Sequence, residues 1–187
     1  MALKQKLTYD DYAALPDDGK RYEVLAGELY VVPAPNLSHQ GVAKRLFRTL
    51  DRFFEGNNLG EVFFAPLDVI LGPHDVAEPD ILVVIDPSQF STRGIEGPPA
   101  LVVEILSPSN RTHDLITKAR RYLALGIQHY WIVDPDAHRL TCQQAAGDRW
   151  VVVAEGRDND RVCDPAWPDL AIDLADLWRR GRWSPST

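Results

Sequence analysis

The sequence predicts an α/β fold in which a central mixed β-sheet is flanked by helices. Runs rich in β-branched residues, such as "ILVVI" at 81–85 and "LVVEI" at 101–105, have the length and composition of strands. Two longer stretches have apolar residues at helical spacing, and segments rich in Gly and Pro separate the elements. Strands and helices in this mixed order are typical of a sheet that is covered by helices.

The first predicted elements are a short helix and a hairpin. Thr8 and Asp10 favour the start of a helix, and "LPDDGK" ends it. "RYEVLAGELYVV" then predicts a β-hairpin, because two apolar-rich runs flank Ala26-Gly27, which is a tight-turn signal.

A long helix is predicted to begin at Leu37. Its apolar residues recur at helical spacing: Val42, Leu46, Leu50 and Phe53. Ser38 is the expected amino-terminal cap, and Gly56-Asn57 is the expected end. The other face of this helix is basic, which usually means a solvated surface, although such a face can also contact a phosphate backbone.

Several strands follow the long helix. "EVFFA" and "LDVIL" are expected to pair with each other, and "ILVVI" is expected to be buried on both faces because it is an unbroken β-branched run. "ALVVEIL" predicts the next strand, and "SPSNRTHDLITKARRYLALG" predicts a loop followed by a second helix that Gly126 ends. A strand in "QHYWIVDP", a hairpin around Ala146-Gly147 and a short helix in "DLADLWRR" come next.

Composition limits the class of protein. The 187 residues, of which 45% are hydrophobic and 25% charged, fit one domain with its own core, so we expect residues 1–187 to form a single domain. Within it, the core is expected at about 7–135, and the hairpin and short helix at 136–187 are expected as additions. The net charge of −7 disfavours a protein that coats nucleic acid nonspecifically, but it is compatible with an acidic metal site.

The expected location is the cytoplasm, with no membrane partner. No apolar run is long enough to span a bilayer, and the first residues lack the apolar core of a secretory signal. Cys142 and Cys163 have no metal-site spacing and do not make a disulfide framework.

Glu104 is the unusual residue of the strand pattern, because it places a charge among Val and Ile side chains. On a helical wheel the apolar stripe of the second helix is expected to contain Leu115, Ala119, Tyr122 and Leu125. Lys118 falls inside that stripe, whereas Asp114 lies near its edge. Since an unpaired buried charge is costly, Lys118 needs a partner, and Glu104 in the preceding strand is the natural candidate.

A second carboxylate, Asp80, stands at the entrance of the "ILVVI" strand. Two carboxylates at neighbouring strand positions can share a hard divalent cation such as Mg²⁺, and the backbone carbonyl of Ile105 can add a ligand. A lysine nearby can orient or deprotonate the attacking water and stabilise the charge that develops on the phosphoryl group. Asp80, Glu104 and Lys118 therefore predict a site that cleaves phosphodiesters.

"PD" at Pro79-Asp80 followed by "EIL" at 104–106 resembles the PD-(D/E)xK signature of the restriction-endonuclease-like superfamily. Three blocks, "YEVLAGELYVVPAPNLSHQ", "EPDILVV" and "LVVEILSPSNRTHDLITKARRYLALGIQHYWIVDP", are similar to the Uma-type family within it. The resemblance covers roughly Leu7 to Pro135. It departs from the simple signature at Leu106, where a lysine is expected; in this branch the lysine is displaced to the following helix, which here means Lys118.

The resemblance implies a restriction-endonuclease-like fold with extra amino- and carboxy-terminal β-hairpins. It also implies an endonuclease that hydrolyses DNA phosphodiester bonds with Mg²⁺, for which Mn²⁺ can substitute. Carried over residue by residue, Asp80 and Glu104 bind metal and Lys118 is the catalytic lysine. Glu23 matches an outer carboxylate that holds a second metal ion or its water, and His39 a contact to phosphate or to such a water. Many relatives work as dimers, which implies a homodimer whose interface the carboxy-terminal hairpin and "LADLWRR" can supply.

Each residue also has an ordinary structural interpretation. Asp80 can end a turn, and Glu104 with Lys118 can form an ion pair without catalysis. Glu23 can be a solvent-facing strand residue, and His39 a cap or surface residue. Asp68 can face solvent or lie near the metal, and His113 is expected at the surface or in a turn.

Two other functions stay open at this point. One is a metal-dependent phosphohydrolase that acts on RNA or on a small phosphorylated substrate, which a deep, narrow pocket would favour. The other is a noncatalytic nucleic-acid-binding or interaction protein that retains the nuclease fold. The presence of Asp80, Glu104 and Lys118 together favours the nuclease, and the net charge favours the noncatalytic protein.

Overall fold

The computed structural model describes residues 5–109 and 111–179, so Arg180 of the predicted final helix lies outside the described residues. The helices are α1 (Tyr9–Ala13), α2 (Leu37–Phe54), a 3-10 helix (Pro87–Gln89), a π-helical segment (His113–Lys118) that continues into α3 (Ala119–Ala124), and α4 (Leu174–Trp178). Thr8 caps α1, as predicted. The expected cap of α2 is wrong: Asn36, not Ser38, accepts the hydrogen bond from the backbone N–H of His39 at 2.9 Å.

The strands, in chain order, are β1 (Arg21–Leu25), β2 (Glu28–Val32), β3 (Glu61–Phe64), β4 (Val69–Gly72), β5 (Asp75–Ala77), β6 (Ile81–Val84), β7 (Phe90–Ser91), β8 (Gly94–Glu96), β9 (Leu101–Ile105), β10 (His129–Asp134), β11 (Arg139–Ala146), β12 (Arg149–Arg157), β13 (Arg161–Cys163) and β14 (Ala171–Asp173). The central sheet has the order β12-β11-β10-β9-β6-β3, and the second sheet has the order β2-β1-β5-β4-β8-β7. β13 and β14 form a separate pair.

The central sheet is mixed and flanked by helices, which confirms the predicted fold class. β9 runs parallel to β10 and antiparallel to β6. Apolar residues of α2 pack on one face, together with Leu101, Val103 and Ile105 of β9. α3 and the second sheet cover the other face, where Val102 and Leu106 lie. Because side chains alternate along a strand, Glu104 points to this second face, between the helix and the second sheet.

The amino-terminal hairpin forms as predicted, since Ala26 and Gly27 both have positive φ, at 55° and 82°, as a tight hairpin turn requires. The hairpin is not an isolated addition, because β1 also pairs with β5 and so enters the second sheet. The carboxy-terminal hairpin of β11 and β12 likewise extends the central sheet. Both predicted hairpins therefore exist, and each is built into a larger sheet.

The expected pairing of "EVFFA" with "LDVIL" is wrong. β3 pairs with β6, whereas β4 pairs with β5 and β8 in the second sheet. Both segments have similar strand propensity, and tertiary packing decides the partner of each. The predicted burial of "ILVVI" is confirmed for Ile81–Val84, which form β6, but it is wrong for Ile85, which lies beyond the strand and is 58% exposed. Among the described residues, no helix combines the length and apolar character needed to cross a membrane.

Candidate metal and catalytic site

Asp80 and Glu104 face each other at the end of two neighbouring strands. β6 and β9 pair Ile81 with Val103, and one further step in this antiparallel register sets Asp80 opposite Glu104. Oδ2 of Asp80 accepts a hydrogen bond from the backbone N–H of Ile105 at 2.7 Å. The side chain of Asp80 is 17% exposed and that of Glu104 is 3% exposed. The two carboxylates therefore lie where the buried sheet meets solvent.

His39 lies against this carboxylate pair from the start of α2. Its Nε2 is 3.0 Å from Oδ2 of Asp80, and its side chain is 9% exposed. Its Nδ1 has no hydrogen-bond partner among the described residues. The interpretation of His39 as a surface residue is therefore wrong, because the cap at Asn36 turns the first helical turn, and with it His39, toward β6.

Lys118 pairs with Glu104, as the helical wheel predicted. Its Nζ lies 3.0 Å from Oε1 of Glu104, 2.8 Å from Oε1 of Glu23 and 3.9 Å from Oδ1 of Asp114. The lysine side chain is only 4% exposed. One ammonium thus joins carboxylates from β1, from β9 and from its own helix.

Glu23 is buried at 1% exposure, so its interpretation as a solvent-facing acid is wrong. β1 carries it to the interior because the second sheet packs over the central one. Its Oε1 also accepts a hydrogen bond from the backbone N–H of Glu78 at 2.7 Å, and its Oε2 is 3.5 Å from Nε2 of His113. His113 was expected at the surface or in a turn, but its ring packs on that of Tyr30 with centroids 4.6 Å apart.

Two tyrosines form hydrogen bonds with the group of charged residues around Lys118. The hydroxyl of Tyr122 donates to Oε1 of Glu104 at 2.6 Å, and the hydroxyl of Tyr130 donates to the backbone carbonyl of Asp114 at 3.0 Å. Both rings are fully buried. The sequence placed Tyr122 on the apolar stripe, but its spacing of four residues from Lys118 also indicates a contact with the same carboxylate.

A π-helical turn sets which residues of this helix face the site. Asp114 and Lys118 are buried at 2% and 3% exposure, whereas Leu115 is 38% exposed. The helical wheel expected Leu115 inside the buried stripe and Asp114 near its edge. Because a π-helical turn is wider than an α-helical one, residues four apart stay on one side and Leu115 turns outward. Such turns occur frequently at functional sites.

The cluster contains more carboxylates than cations. Burial raises the pKa of Glu104 well above its usual range, and the nearby Lys118 offsets this only in part. Burial likewise raises the pKa of Asp114 to about 6, although Lys118 acts in the opposite direction. For Glu23, Lys118 and His113 outweigh burial and lower the pKa. Three carboxylates around one ammonium leave a deficit of positive charge that a proton or a divalent cation can fill.

The side chain of Lys118 keeps its positive charge. Burial alone would lower the pKa of this ammonium, but Glu104, Glu23 and Asp114 together raise the pKa well above its usual range. The group therefore stays protonated at neutral pH. It makes two close contacts to carboxylates, so one of its three N–H groups is available to another acceptor.

The carboxylate oxygens of Asp80 and Glu104 are suited to bind a hard divalent cation. Their hydrogen bonds within the described residues converge on Oδ2 of Asp80 and Oε1 of Glu104. Oδ1 of Asp80 and Oε2 of Glu104 accept no hydrogen bond from the described residues. Carboxylate oxygens are the ligands that Mg²⁺ prefers. Ile105 contacts Asp80 through its N–H. Within 5–109 and 111–179 there is no arrangement of three or more His, Cys, Asp or Glu side chains around a common metal position.

Known proteins share this architecture. The chain is similar to a protein from Anabaena variabilis ATCC 29413 whose crystal structure is described as that of "a putative nuclease belonging to DUF820". The two structures superimpose with a TM-score of 0.75 at 21% sequence identity, over 92% of this chain and 97% of the other. No curated protein matches the sequence.

The family is established by a match that spans nearly all of the described chain, from α1 to α4. It includes both hairpins and every residue of the cluster around Lys118. The chain belongs to the Uma2 family, described as "Putative restriction endonuclease", which matches residues 9–175.

Proposed function

We propose that the protein is an endonuclease that hydrolyses DNA phosphodiester bonds with the help of Mg²⁺, for which Mn²⁺ can substitute. The observation that carries the proposal is the pairing of Asp80 with Glu104 at a solvent-accessible strand end, with Lys118 bound to Glu104. Membership in a family described as a restriction endonuclease supports a nuclease-like function. The cleavage activity, the DNA substrate and the Mg²⁺ ion are our proposals and are not part of that description.

Asp80 and Glu104 are the proposed metal ligands, with the backbone carbonyl of Ile105 as a further one. When bound, Mg²⁺ would polarise a phosphoryl oxygen and lower the pKa of an attacking water. His39 and the N–H of Ile105 hold one oxygen of Asp80 and so fix the direction of the other. This preorganisation keeps the carboxylate in place without reorganisation during the reaction.

Lys118 is the proposed catalytic lysine. Because its pKa is raised by three carboxylates, it serves as a proton-bearing donor and not as the base that takes a proton from water. Its remaining N–H can donate to a water or to a phosphoryl oxygen and stabilise the developing negative charge. Glu23 anchors the ammonium from the opposite side and is the proposed outer carboxylate.

The remaining parts of the proposal concern the whole molecule. We take residues 1–187 as one domain that acts in the cytoplasm on DNA. A homodimer would suit cleavage of two strands. α4 is an unsuitable part of its interface, because Leu174 and Leu177 are buried in the core and the Leu177 carbonyl accepts from Arg45 at 2.9 Å. The edge strand β12, with Val152 52% exposed, is the better candidate.

The test is a cleavage assay with supercoiled DNA and with duplex DNA, single-stranded DNA and RNA oligonucleotides. We expect Mg²⁺-dependent cleavage of DNA that Glu104→Gln abolishes and that chelation of the metal stops. Glu61→Gln is the matched control. Glu61 is an exposed carboxylate at the end of β3 that lies away from Asp80. Cleavage that continues in Glu104→Gln would contradict the assigned site. Cleavage of RNA alone would support the phosphohydrolase instead.

Two alternatives to the nuclease are tested by the same assay, the phosphohydrolase and the noncatalytic protein. The noncatalytic protein would show DNA binding, or none, without metal-dependent cleavage. The assay therefore separates all three functions.

A further inference from the structure

Arg111 lies just before the π-helical segment that carries Lys118, in the connection that follows β9. Its backbone N–H donates to the carbonyl of Ser107 at 3.0 Å and closes a turn of this connection. Its Nη2 donates to Oδ2 of Asp134 at 2.7 Å. The position of Asp134 therefore determines where the guanidinium lies.

Asp134 ends β10 on the same face and at the same edge of the central sheet as Glu104. β10 runs parallel to β9 and pairs Ile132 with Glu104, so Asp134 comes two positions beyond that pair. Ile132 packs in the core on the face to which Glu104 points. Because side chains alternate along a strand, Asp134 points to the same face. At the usual strand spacing and rise, the Cα atoms of Glu104 and Asp134 are about 8 Å apart.

The guanidinium of Arg111 is anchored and yet accessible to a ligand. Asp134 is 2% exposed, and its Oδ1 accepts a hydrogen bond from the backbone N–H of Ala137 at 3.1 Å, so the carboxylate is fixed in place. The side chain of Arg111, by contrast, is 43% exposed. Its Nε and Nη1 donate no hydrogen bond within residues 5–109 and 111–179. Arginine presents five N–H donors in a rigid fork, so the remaining donors can bind an oxyanion.

We propose that Arg111 binds a phosphate group of the substrate backbone, beside the phosphate that is cleaved. The inference rests on the proposed nuclease function and adds a residue that holds the polymer at the site. The carboxylates around Lys118 outnumber its single positive charge and repel phosphate. A fixed guanidinium on the same face offsets this repulsion, and its planar fork matches the geometry of phosphate. A phosphate contact carries no information on base sequence, so it acts on every DNA sequence alike.

The experiment measures binding of labelled duplex DNA at several KCl concentrations, without divalent ions so that no hydrolysis occurs. We expect Arg111→Gln to reduce the slope of the logarithm of affinity against the logarithm of salt concentration by about 0.9, the contribution of one phosphate contact. Binding at low salt should weaken about tenfold, equally for an AT-rich and a GC-rich duplex. Arg179→Gln is the matched control and should keep the slope. Arg179 also pairs with a carboxylate, but it follows α4, which packs on the opposite face of the central sheet.

A double variant separates the phosphate contact from the ion pair. Arg111→Gln alone leaves the buried carboxylate of Asp134 without its cation, which can weaken binding indirectly. Arg111→Gln combined with Asp134→Asn removes both charges and keeps the net charge of the protein. We expect the double variant to lose the same part of the slope as Arg111→Gln. A double variant that binds like the unaltered protein overturns the proposal, because the loss in Arg111→Gln is then an effect of the uncompensated carboxylate.

The outcomes also distinguish the role of Arg111 from the nuclease function. An unchanged slope in Arg111→Gln overturns the phosphate contact, and so does a loss confined to the GC-rich duplex, which indicates a contact with guanine instead. If the unaltered protein cleaves DNA with Mg²⁺ in either case, the nuclease function stands and only the phosphate contact is lost. If the unaltered protein neither binds nor cleaves DNA, both proposals are contradicted. Thermal unfolding shows that each variant is folded at the temperature of the assay.

Discussion

The ammonium of Lys118 lies 2.8 Å from Oε1 of Glu23, so a helix on the central sheet and a strand of the second sheet meet in one buried ion pair. The same ammonium lies 3.0 Å from Oε1 of Glu104. The three side chains are between 1% and 4% exposed. Their mutual contacts therefore determine both the stability of this region and the position of the charged groups in the candidate site.

Replacing Lys118 with methionine removes the cation and keeps most of the volume. We expect Lys118→Met to lower the free energy of unfolding by about 3–5 kcal/mol, because Glu23 and Glu104 are left buried without compensation. Urea denaturation measures the change. Lys20→Met is the matched control, since Lys20 pairs with Asp18 at the surface, and it should leave the stability nearly unchanged. Equal losses of stability in Lys118→Met and Lys20→Met would show that the buried contacts of Lys118 with Glu23 and Glu104 do not stabilise the protein.

Removing the hydroxyl of Tyr122 tests how Glu104 is held. Tyr122→Phe should cost about 1.5–3 kcal/mol, because it deletes a 2.6 Å hydrogen bond to a buried carboxylate. Tyr130→Phe deletes a bond to a backbone carbonyl and should cost about 0.5–1.5 kcal/mol. Both rings keep their packing, so chemical denaturation of the two variants compares the hydrogen bonds alone. A larger loss for Tyr130→Phe would contradict the strong bond to Glu104.

Metal binding has a thermal signature. Mg²⁺ or Mn²⁺ should raise the melting temperature, since an ion that binds only the folded protein at a hundred times its Kd adds about 2.7 kcal/mol. Asp80→Asn should abolish the shift. Asp148→Asn, at an exposed turn between β11 and β12, should retain it. An unchanged melting curve of the unaltered protein at millimolar metal would contradict the assigned ligands.

Asp164 gives a pH dependence away from the site. Burial acts to raise its pKa, but His129, the N–H of Ala166 and the indole of Trp131 outweigh burial and lower the pKa. A lowered folded-state pKa stabilises the protein above the unfolded value of about 3.9, and this contribution is lost as the pH falls through the folded pKa. Asp164→Asn should therefore cost about 1–3 kcal/mol at pH 7, because Asn carries no charge and has one acceptor oxygen for the two N–H donors of Trp131 and Ala166.

The stability difference between the unaltered protein and Asp164→Asn should shrink below pH 4, because protonation then removes the same interaction from the unaltered protein. Urea denaturation at neutral pH and at successively lower pH values measures it. A difference that stays constant with pH would show that the carboxylate charge is not involved.

The parts of the site that the sequence predicts are those that depend on strand and helix periodicity. Glu104 stands out as a charge in an apolar run, and the helical wheel places Lys118 on the buried side. Asp114 is missed because the wheel assumes an α-helical turn, whereas the backbone there is π-helical. A single widened helical turn has no recognisable pattern in the amino-acid sequence.

Long-range sheet contacts account for the remaining differences. The burial of Glu23 and the place of Glu78 depend on the packing of the second sheet over the central one, which no local pattern specifies. The same limit explains the wrong pairing of β3 and β4. The Ala26-Gly27 turn was predictable because its backbone geometry depends on the two residues themselves.

The contact between Glu23 and Lys118 also has a consequence for folding. The two residues are separated by about half of the chain, so their pairing requires closure of a long loop and docking of both sheets. During synthesis, Glu23 leaves the ribosome well before Lys118 and has no cation to bind until the second helix follows. The complete group of charges therefore forms only after both sheets have docked, so the candidate site is incomplete until the second helix has been made.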